Sequence, residues 1–440
     1  MSLDTQRKTG APGVWSDIGR VPSHPGGGIF TIAGRAFCVS GRSGNIAELG
    51  PQGFFNNDTR FLSGFHLLVN GVDPEVVDAT SIGADEAVFF LRSRANEQDE
   101  HAEPGLVVRR HRYQGPTLHE DLIIENRAGR AAIVMVELEV CVDFADVFDV
   151  RRAGPATERS VGARFSKGEL AFSYRANTFE RATKIRTSGD ARRDGNRLVL
   201  SHRVEPNQRW KTCVDVIPVI DGSPMPIERS CTTGHHAQAA PAAPSQITHP
   251  PRLRSSADAL EHLWAHSLGD LAALEITMDG QRVFAAGIPW FVALFGRDSV
   301  ITSMEAMLLD RDAALGTAQL LAELQGTRND ASVSEEPGKI IHELRFGERS
   351  LPYDLMSRYY GAVDTTPLWC MLLDKLHRWG ADAVRLRAML PNLRAAVAWI
   401  QQALEAGDGF LTYRGDVTRL DNQGWKDSGD SMVDGRGHRL

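Results

Sequence analysis

The 440-residue sequence predicts a two-part chain, a large antiparallel β-sandwich followed by a helical domain. Three observations predict it. Apolar residues alternate with period two through the first half, most regularly in IVMVELEVCV, Ile133–Val142, where Val134, Val136, Leu138 and Val140 share one face. An Ala/Pro/Thr-rich stretch without periodicity, residues 232–254, interrupts that pattern. Beyond Ser255 the apolar residues recur at helical spacing.

In order, residues 1–27 are Gly/Pro/Ser-rich and read as a loosely held arm, with the sandwich over 28–231. Strands are expected at Ile29–Ser40, Arg60–Val69, Ala87–Arg92, Leu106–Tyr113, Leu118–Asn126, Ala131–Val142, Arg164–Arg175, Arg197–Val204 and Trp210–Ile217. Asn70-Gly71 is a strong hairpin turn pair. Many strands at roughly even spacing with polar turns indicate a sandwich. Residues 232–254 are the linker, and 255–440 the helical part. Its first helix carries Leu260, Leu263, Trp264, Leu271 and Leu274, with Ser255 or Ser256 as N-cap. Further helices are expected after Asp298-Ser299, over Arg311–Gln325, from Thr365-Thr366-Pro367 to Trp379, and over Asp382–Glu405.

Composition excludes several classes of function. A formal charge of −7 and a pI near 6.1 leave no footprint for nucleic acid or an anionic membrane. No run of about 18 apolar residues suggests a membrane span, and the polar N-terminus lacks the apolar core of a signal peptide. Cys38, Cys141, Cys213, Cys231 and Cys370 are scattered without a CxxC pair, so neither a disulfide framework nor a metal site is expected, and a reducing cytoplasm suits them. His235-His236 in the linker lacks further ligands, and adjacent Glu335-Glu336 alone makes no oxygen cage. The sequence is silent on oligomeric state.

Four loop segments of the helical part carry unusual residues. The first, AGIPWFVALFGRDS (Ala286–Ser299), places Trp290, Phe291 and Phe295 beside Arg297 and Asp298 at the mouth of a helix. Core aromatics and a capped helix would account for it equally well. The second is EEPGKIIHELR (Glu335–Arg345), the third Tyr359–Pro367 with Asp364, and the fourth NQGWKDSGDS (Asn422–Ser431), which holds Trp425, Lys426, Asp427 and Asp430. Glycosidic hydrolysis needs one carboxylic acid to protonate the leaving oxygen and a second carboxylate to activate water or to attack. Aromatic faces suit sugar C–H surfaces, and charged groups fix hydroxyls. An Asx-turn beside a buried Trp explains the fourth segment taken alone. Four such segments on successive loops favour a sugar site.

With these segments and LQGTR (Leu324–Arg328), the helical part resembles the amylo-α-1,6-glucosidases, the glucosidase half of bacterial and archaeal glycogen debranching enzymes, which group with the six-hairpin glycosidases. The first half resembles the N-terminal domain of that family through SGRSGNI (Ser40–Ile46) and Asn57-Asp58-Thr59-Arg60. The resemblance implies an (α/α)6 barrel with the site at its mouth, inverting hydrolysis of an α-glucosidic bond in an α-glucan or oligosaccharide, and no cofactor. Asp427 matches the general acid, with Asp430 its competitor. Arg297 and Asp298 match a segment holding the terminal sugar, and Trp290, Phe291, Trp425 and Lys426 belong to the expected sugar subsite. Lys339, His342 and Asp364 are expected to line the pocket. Such a barrel has twelve helices, and 255–440 has room for about half of them. The family's general base has no counterpart here, so this polypeptide is expected to be a fragment of a longer enzyme, a truncated product, or one completed by another chain, and to be inactive alone. Other readings keep the barrel with a small glucoside such as trehalose or glucosylglycerate, or make the chain a non-catalytic glucan-binding protein. The segment Phe54–Arg60 reads as a structural turn or as part of a sandwich surface that shapes the barrel mouth.

Overall fold

A computed structural model of the chain describes residues 28–47, 50–93, 105–152, 159–231, 250–350, 357–413, 423–426 and 433–438. The expected arm (1–27), most of the linker with His235-His236, and both Asp427 and Asp430 lie outside the described residues.

The first half is antiparallel β. Nine strands form one sheet, whose main path runs 162–166, 169–176, 179–187, 209–220, 118–126, 106–114, 86–93 and 75–83. A four-stranded sheet of 192–194, 197–204, 132–141 and 64–69 packs its apolar face into the same core. Val134, Val136, Leu138 and Val140 are fully buried there, while Ile133 between them is 69% exposed. That is the alternation expected from the sequence.

Two long strands of the nine-stranded sheet escaped the sequence pattern. Glu75–Gly83 is exposed on both faces at the sheet edge, so burial imposes no alternation on it. Phe179–Thr187 does alternate, but two of its inward residues, Arg181 and Thr183, are polar.

A third sheet is a meander of Ile29–Ala33, Ala36–Ser40, Gly53–Asn56 and Thr59–Leu62. The expected single strands Ile29–Ser40 and Arg60–Val69 are each two strands, turning at Gly34-Arg35 and breaking at Ser63. This sheet is buried on both faces. Ala36, Cys38 and Phe54 enter the sandwich core, whereas Phe37, Val39 and Phe55 enter the core of the helical part. Successive side chains point to opposite faces of a strand, so one short sheet serves two cores. Phe37 and Phe55, paired in register, stack with centroids 4.7 Å apart.

SGRSGNI proves to be a polar bracket inside the sandwich. The Ser43 carbonyl and the Asn45 side chain accept from Arg110, at 2.9 and 2.6 Å, and the Gly44 carbonyl accepts from Arg112 at 2.5 Å. Both buried guanidiniums also bind buried Glu120. Gly44 has φ +79°, and a Cβ there would sit 3.0 Å from Arg110, so glycine is required.

Residues 250–257 lead without regular structure into six α-helices among the described residues: 258–273, 296–305, 311–323, 365–378, 383–388 and 390–406. Trp369, Leu372, Leu373 and Leu376, at i, i+3, i+4 and i+7, bury one stripe of the helix 365–378. Several boundaries differ from expectation. The first helix is capped at Ala257 without a side-chain bond, and its Leu260 and Leu263 are 50% and 61% exposed. The second begins at Gly296, so Asp298 lies in its first turn and is not its cap. The helix at Thr365 starts two residues before Pro367, which still falls in the first turn, where no intrahelical N–H bond is lost. The last expected helix is broken at Met389, with Pro391 opening its second half. A hairpin of 275–278 and 281–284, not anticipated, precedes the first loop segment. No helix among the described residues is long and apolar enough to cross a membrane.

Candidate functional site

A three-stranded ribbon assembles the site. Leu294-Phe295, Glu343-Leu344 and Arg358-Tyr359 pair antiparallel, which joins the first, second and third loop segments. Gly296 N–H then donates to the His342 carbonyl at 2.8 Å as the helix begins. A Cβ on Gly296 would lie 2.1 Å from the Ile341 carbonyl oxygen and 2.4 Å from Thr365, so only glycine allows this approach. LQGTR joins the assembly through reciprocal backbone bonds, Gly326 N–H to Lys339 O and Gly338 N–H to Gly326 O, and Tyr360 Oη donates to the Leu324 carbonyl.

Arg297, at the second position of its helix, is where the segments meet. Its guanidinium donates to Asp364 Oδ2 and to the Gly424 carbonyl, each at 3.1 Å, and lies 5.9 Å from the Trp425 ring centroid. Val363 N–H donates to the Gln423 carbonyl. The other oxygen of Asp364, Oδ1, is buried and has no hydrogen-bond partner among the described residues. Asp298 is half-buried one position on, while Trp425 and Lys426 are exposed.

Other residues expected at the subsite lie deeper. Trp290 is 5% exposed within the core. Phe291 is half-buried, edge-on to Phe295, with the Arg151 guanidinium over its ring. His342 is buried edge-on between Phe295 and Tyr359. Lys339 is buried, donates to Glu336 and the Ser334 carbonyl, and burial lowers its pKa. Glu336 in turn accepts from Trp399 Nε1, which ties the second segment to the last helix.

The segment Phe54–Arg60, a structural turn or a surface at the mouth by its sequence, holds this assembly from the sandwich side, through partners that the sequence does not show. Asn57 and Asp58 both have positive φ, +47° and +60°, in the two-residue turn between Gly53–Asn56 and Thr59–Leu62. The turn carries Asp58 across to Arg345 Nη1 at 2.9 Å and to the Phe346 N–H at 2.8 Å. Arg345 is 3% exposed and also donates to Glu343 and to the Trp290 carbonyl, so one guanidinium links the turn, the ribbon and the first segment. Burial opposes its charge, but Asp58 and Glu343 outweigh it and raise the Arg345 pKa, while burial pushes the Glu343 carboxyl up. Asp146, fully buried, accepts from the N–H groups of Phe148 and Arg349. Burial pushes its pKa up to about 7 against those two bonds. Arg159 bridges Asp149 and Glu348 at 2.9 and 2.7 Å, and Tyr174 donates to Glu348. The loop 345–350 is therefore clamped by four sandwich segments.

This clamp makes the first half part of the site's scaffold. Residues 32–215 match the family model described as the N-terminal domain of (some) glycogen debranching enzymes. The match spans most of the buried meander, the SGRSGNI bracket and the Asn57-Asp58 turn, so the matched region includes the elements that reach the helical part. No curated protein matches the chain in sequence. Among solved structures, a protein from the human microbiome described as a kojibiose phosphorylase is 8% identical, over 84% of this chain and 62% of its own, with a TM-score of 0.44. A protein of Escherichia coli K12 described as an aldose 1-epimerase is 10% identical, over 44% of this chain and 100% of its own, with a TM-score of 0.25. A galactose mutarotase-related enzyme of Lactobacillus acidophilus is 10% identical, over 46% of this chain and 100% of its own, with a TM-score of 0.24. This chain thus spans 62% of the length of the first of these structures.

Proposed function

We propose that this chain belongs to a glycoside hydrolase of the amylo-α-1,6-glucosidase type, which releases glucose from the branch points of glycogen-like glucan by an inverting, two-carboxylate mechanism. The observation that carries the reading is the convergence on Arg297 of Asp364 and Gly424-Trp425, residues 67 and 127 to 128 positions away. A fixed guanidinium, a buried carboxylate oxygen without a partner and an exposed indole make up a sugar-binding corner. The hydroxyl of a terminal glucose would donate to Asp364 Oδ1, satisfying an oxygen that is costly to leave unpaired. Arg297 would hold a second hydroxyl as a charge-assisted donor, and Trp425 would take the apolar sugar face.

Asp427, two residues after Trp425, would protonate the glycosidic oxygen. A second carboxylate would activate water on the opposite face of the ring. We assign that base to no residue of this chain. The sandwich acts by positioning, because Asp58 and Arg345 fix the ribbon from which the Arg297 helix departs.

Trp fluorescence titration of the chain with isomaltose tests the binding corner. Arg297→Ala and Asp364→Asn should each weaken binding by about tenfold or more, and unchanged affinity in both would refute the corner. In an enzyme that also contains the base, Asp427→Asn should abolish glucose release from panose-like α-1,6 substrates and leave binding intact. Faster release from trehalose than from panose would assign the site to a small glucoside.

A further inference from the structure

The sandwich carries a second chemical cluster, far in sequence from the sugar-binding corner. Strands Leu118–Asn126 and Arg209–Ile220 pair antiparallel with His119 opposite Asp215 and Asp121 opposite Cys213. Residues directly opposite one another share a face, as do residues two apart on one strand. Four side chains able to ligate a metal therefore form a two-by-two patch, while Glu120 and Val214 point the other way into the core. Cys231 closes over the patch. Its N–H donates to Asp215 Oδ2 at 2.9 Å, and Ser230 Oγ donates to the same oxygen at 3.2 Å.

The ligand atoms of His119, Asp215 and Cys231 lie within 4.8 Å of one another, and so do those of His119, Asp121 and Cys213. The Cys213 and Cys231 thiols influence one another's ionisation, lowering the pKa of Cys213 and raising that of Cys231. His119, Cys213, Asp215 and Cys231 are buried. His119 uses both ring nitrogens, Nδ1 toward Asp215 at 2.6 Å and Nε2 toward Asp121 at 3.2 Å.

We propose that this cluster binds one divalent transition-metal ion of the zinc class, with His119 Nδ1, Asp215 and Cys231, whose ligand atoms already lie together, as three ligands, and with Cys213, which groups with His119 and Asp121, drawn in as the fourth. Two thiolates, an imidazole and a carboxylate match the donor preference and four-coordination of zinc, and discriminate against magnesium and calcium, which take oxygen ligands. Asp121 at Nε2 supplies the outer carboxylate that fixes the imidazole tautomer at such sites. Four protein ligands in a buried place leave no open position, so the ion is structural. It fastens the segment that follows the last strand, Ser230-Cys231, onto the sheet.

The competing account is a metal-free ion network. Burial opposes a charge on His119, yet its bonds to Asp121 and Asp215 lift its pKa to about 9. A carboxylate–imidazolium–carboxylate network would stand without help from thiols, and the two cysteines would then only pack. The thiols are thus the discriminating groups.

The test uses the full chain, reduced, stripped of metal and titrated with Co²⁺ alone and then Zn²⁺. The site requires uptake of one equivalent of Co²⁺, with a thiolate charge-transfer band and intense tetrahedral d–d bands, both bleached by Zn²⁺. Cys213→Ser and Cys231→Ser should each diminish the charge-transfer band and weaken Zn²⁺ binding by about tenfold or more, and Asp121→Asn should weaken it by about tenfold. Cys370→Ser, on the helix 365–378, should change nothing. Zn²⁺ should raise the melting temperature of the wild type and not of the cysteine variants. If a cysteine variant does not fold, His119→Gln gives the same reading. No uptake by the wild type, or uptake unaltered in both cysteine variants, overturns the proposal. So does a Cys213–Cys231 disulfide in the isolated protein combined with no metal uptake after reduction, which would assign the pair to redox chemistry.

Discussion

Asp58→Asn should destabilise the junction between sandwich and helices far more than a comparable change at the surface. Asp58 is 8% exposed and Arg345 3%, and the carboxylate accepts from both Arg345 Nη1 and the Phe346 N–H. Asparagine tolerates the positive φ of the turn, so the backbone is preserved and the charge is the main loss. Breaking a buried ion pair by removing one partner costs about 3–5 kcal/mol, because a charge is left without compensation. Glu343, 3.2 Å from Arg345, still supplies some, which places the expectation near the lower end, about 3 kcal/mol. The control is Glu75→Gln. Glu75 and Arg92 make a bidentate pair at 2.7 Å, but their side chains are 61% and 48% exposed, so solvent screens the pair and its loss should cost little. Urea unfolding followed by Trp fluorescence and by circular dichroism reads both variants. An Asp58→Asn loss no larger than that of Glu75→Gln would refute the claim that this ion pair joins the two halves.

Gly296→Ala should cost at least about 2 kcal/mol and weaken isomaltose binding, because the new Cβ would push the Arg297 helix away from Ile341 and Thr365; urea titration and fluorescence binding check it, and native-like values in both would contradict the close approach. Asp146 introduces a pH dependence. Its folded pKa, about 7, lies above the ordinary 3.8, so the folded state retains a proton that the unfolded chain has released. Its contribution to stability should therefore be fully present below about pH 4, decline as the pH rises toward 7, and level off above that. Melting temperatures across that window should fall in the wild type more than in Asp146→Asn, and parallel curves would refute the assignment. Trp369→Phe should cost about 2 kcal/mol, from a smaller ring in a fully buried site and a lost bond from Nε1 to the Ala318 carbonyl, as measured by urea unfolding.

Much of the fold was legible because burial on one face writes a period into the sequence. Ile133–Val142 and Trp369–Leu376 are the clearest cases, one with period two and one with helical spacing. Glu75–Gly83 was not legible, because an exposed edge strand carries no such constraint. Gly53–Asn56 carries no strand signal because it is buried on both sides, Phe54 toward one core and Phe55 toward the other, which erases alternation. At the site, the motifs marked which loops matter, but not which side chains face the corner. Trp290 and His342 were expected at the subsite, and the fold packs both in the interior.

The sequence by itself determined the two-part architecture and the chemical inventory of the candidate site, since periodicity, turn chemistry and residue type are local properties of the chain. Only the tertiary structure decided which of those groups meet. Arg297 finds Asp364 and Gly424 because a three-stranded ribbon and two helix starts converge there. Asp58 reaches Arg345 across 287 positions because a doubly buried sheet binds the two cores together. His119, Cys213 and Asp215 share a patch because strand register placed them opposite one another, with no CxxC spacing to announce it. Contacts of that range depend on which surfaces pack, and packing is a property of the whole chain.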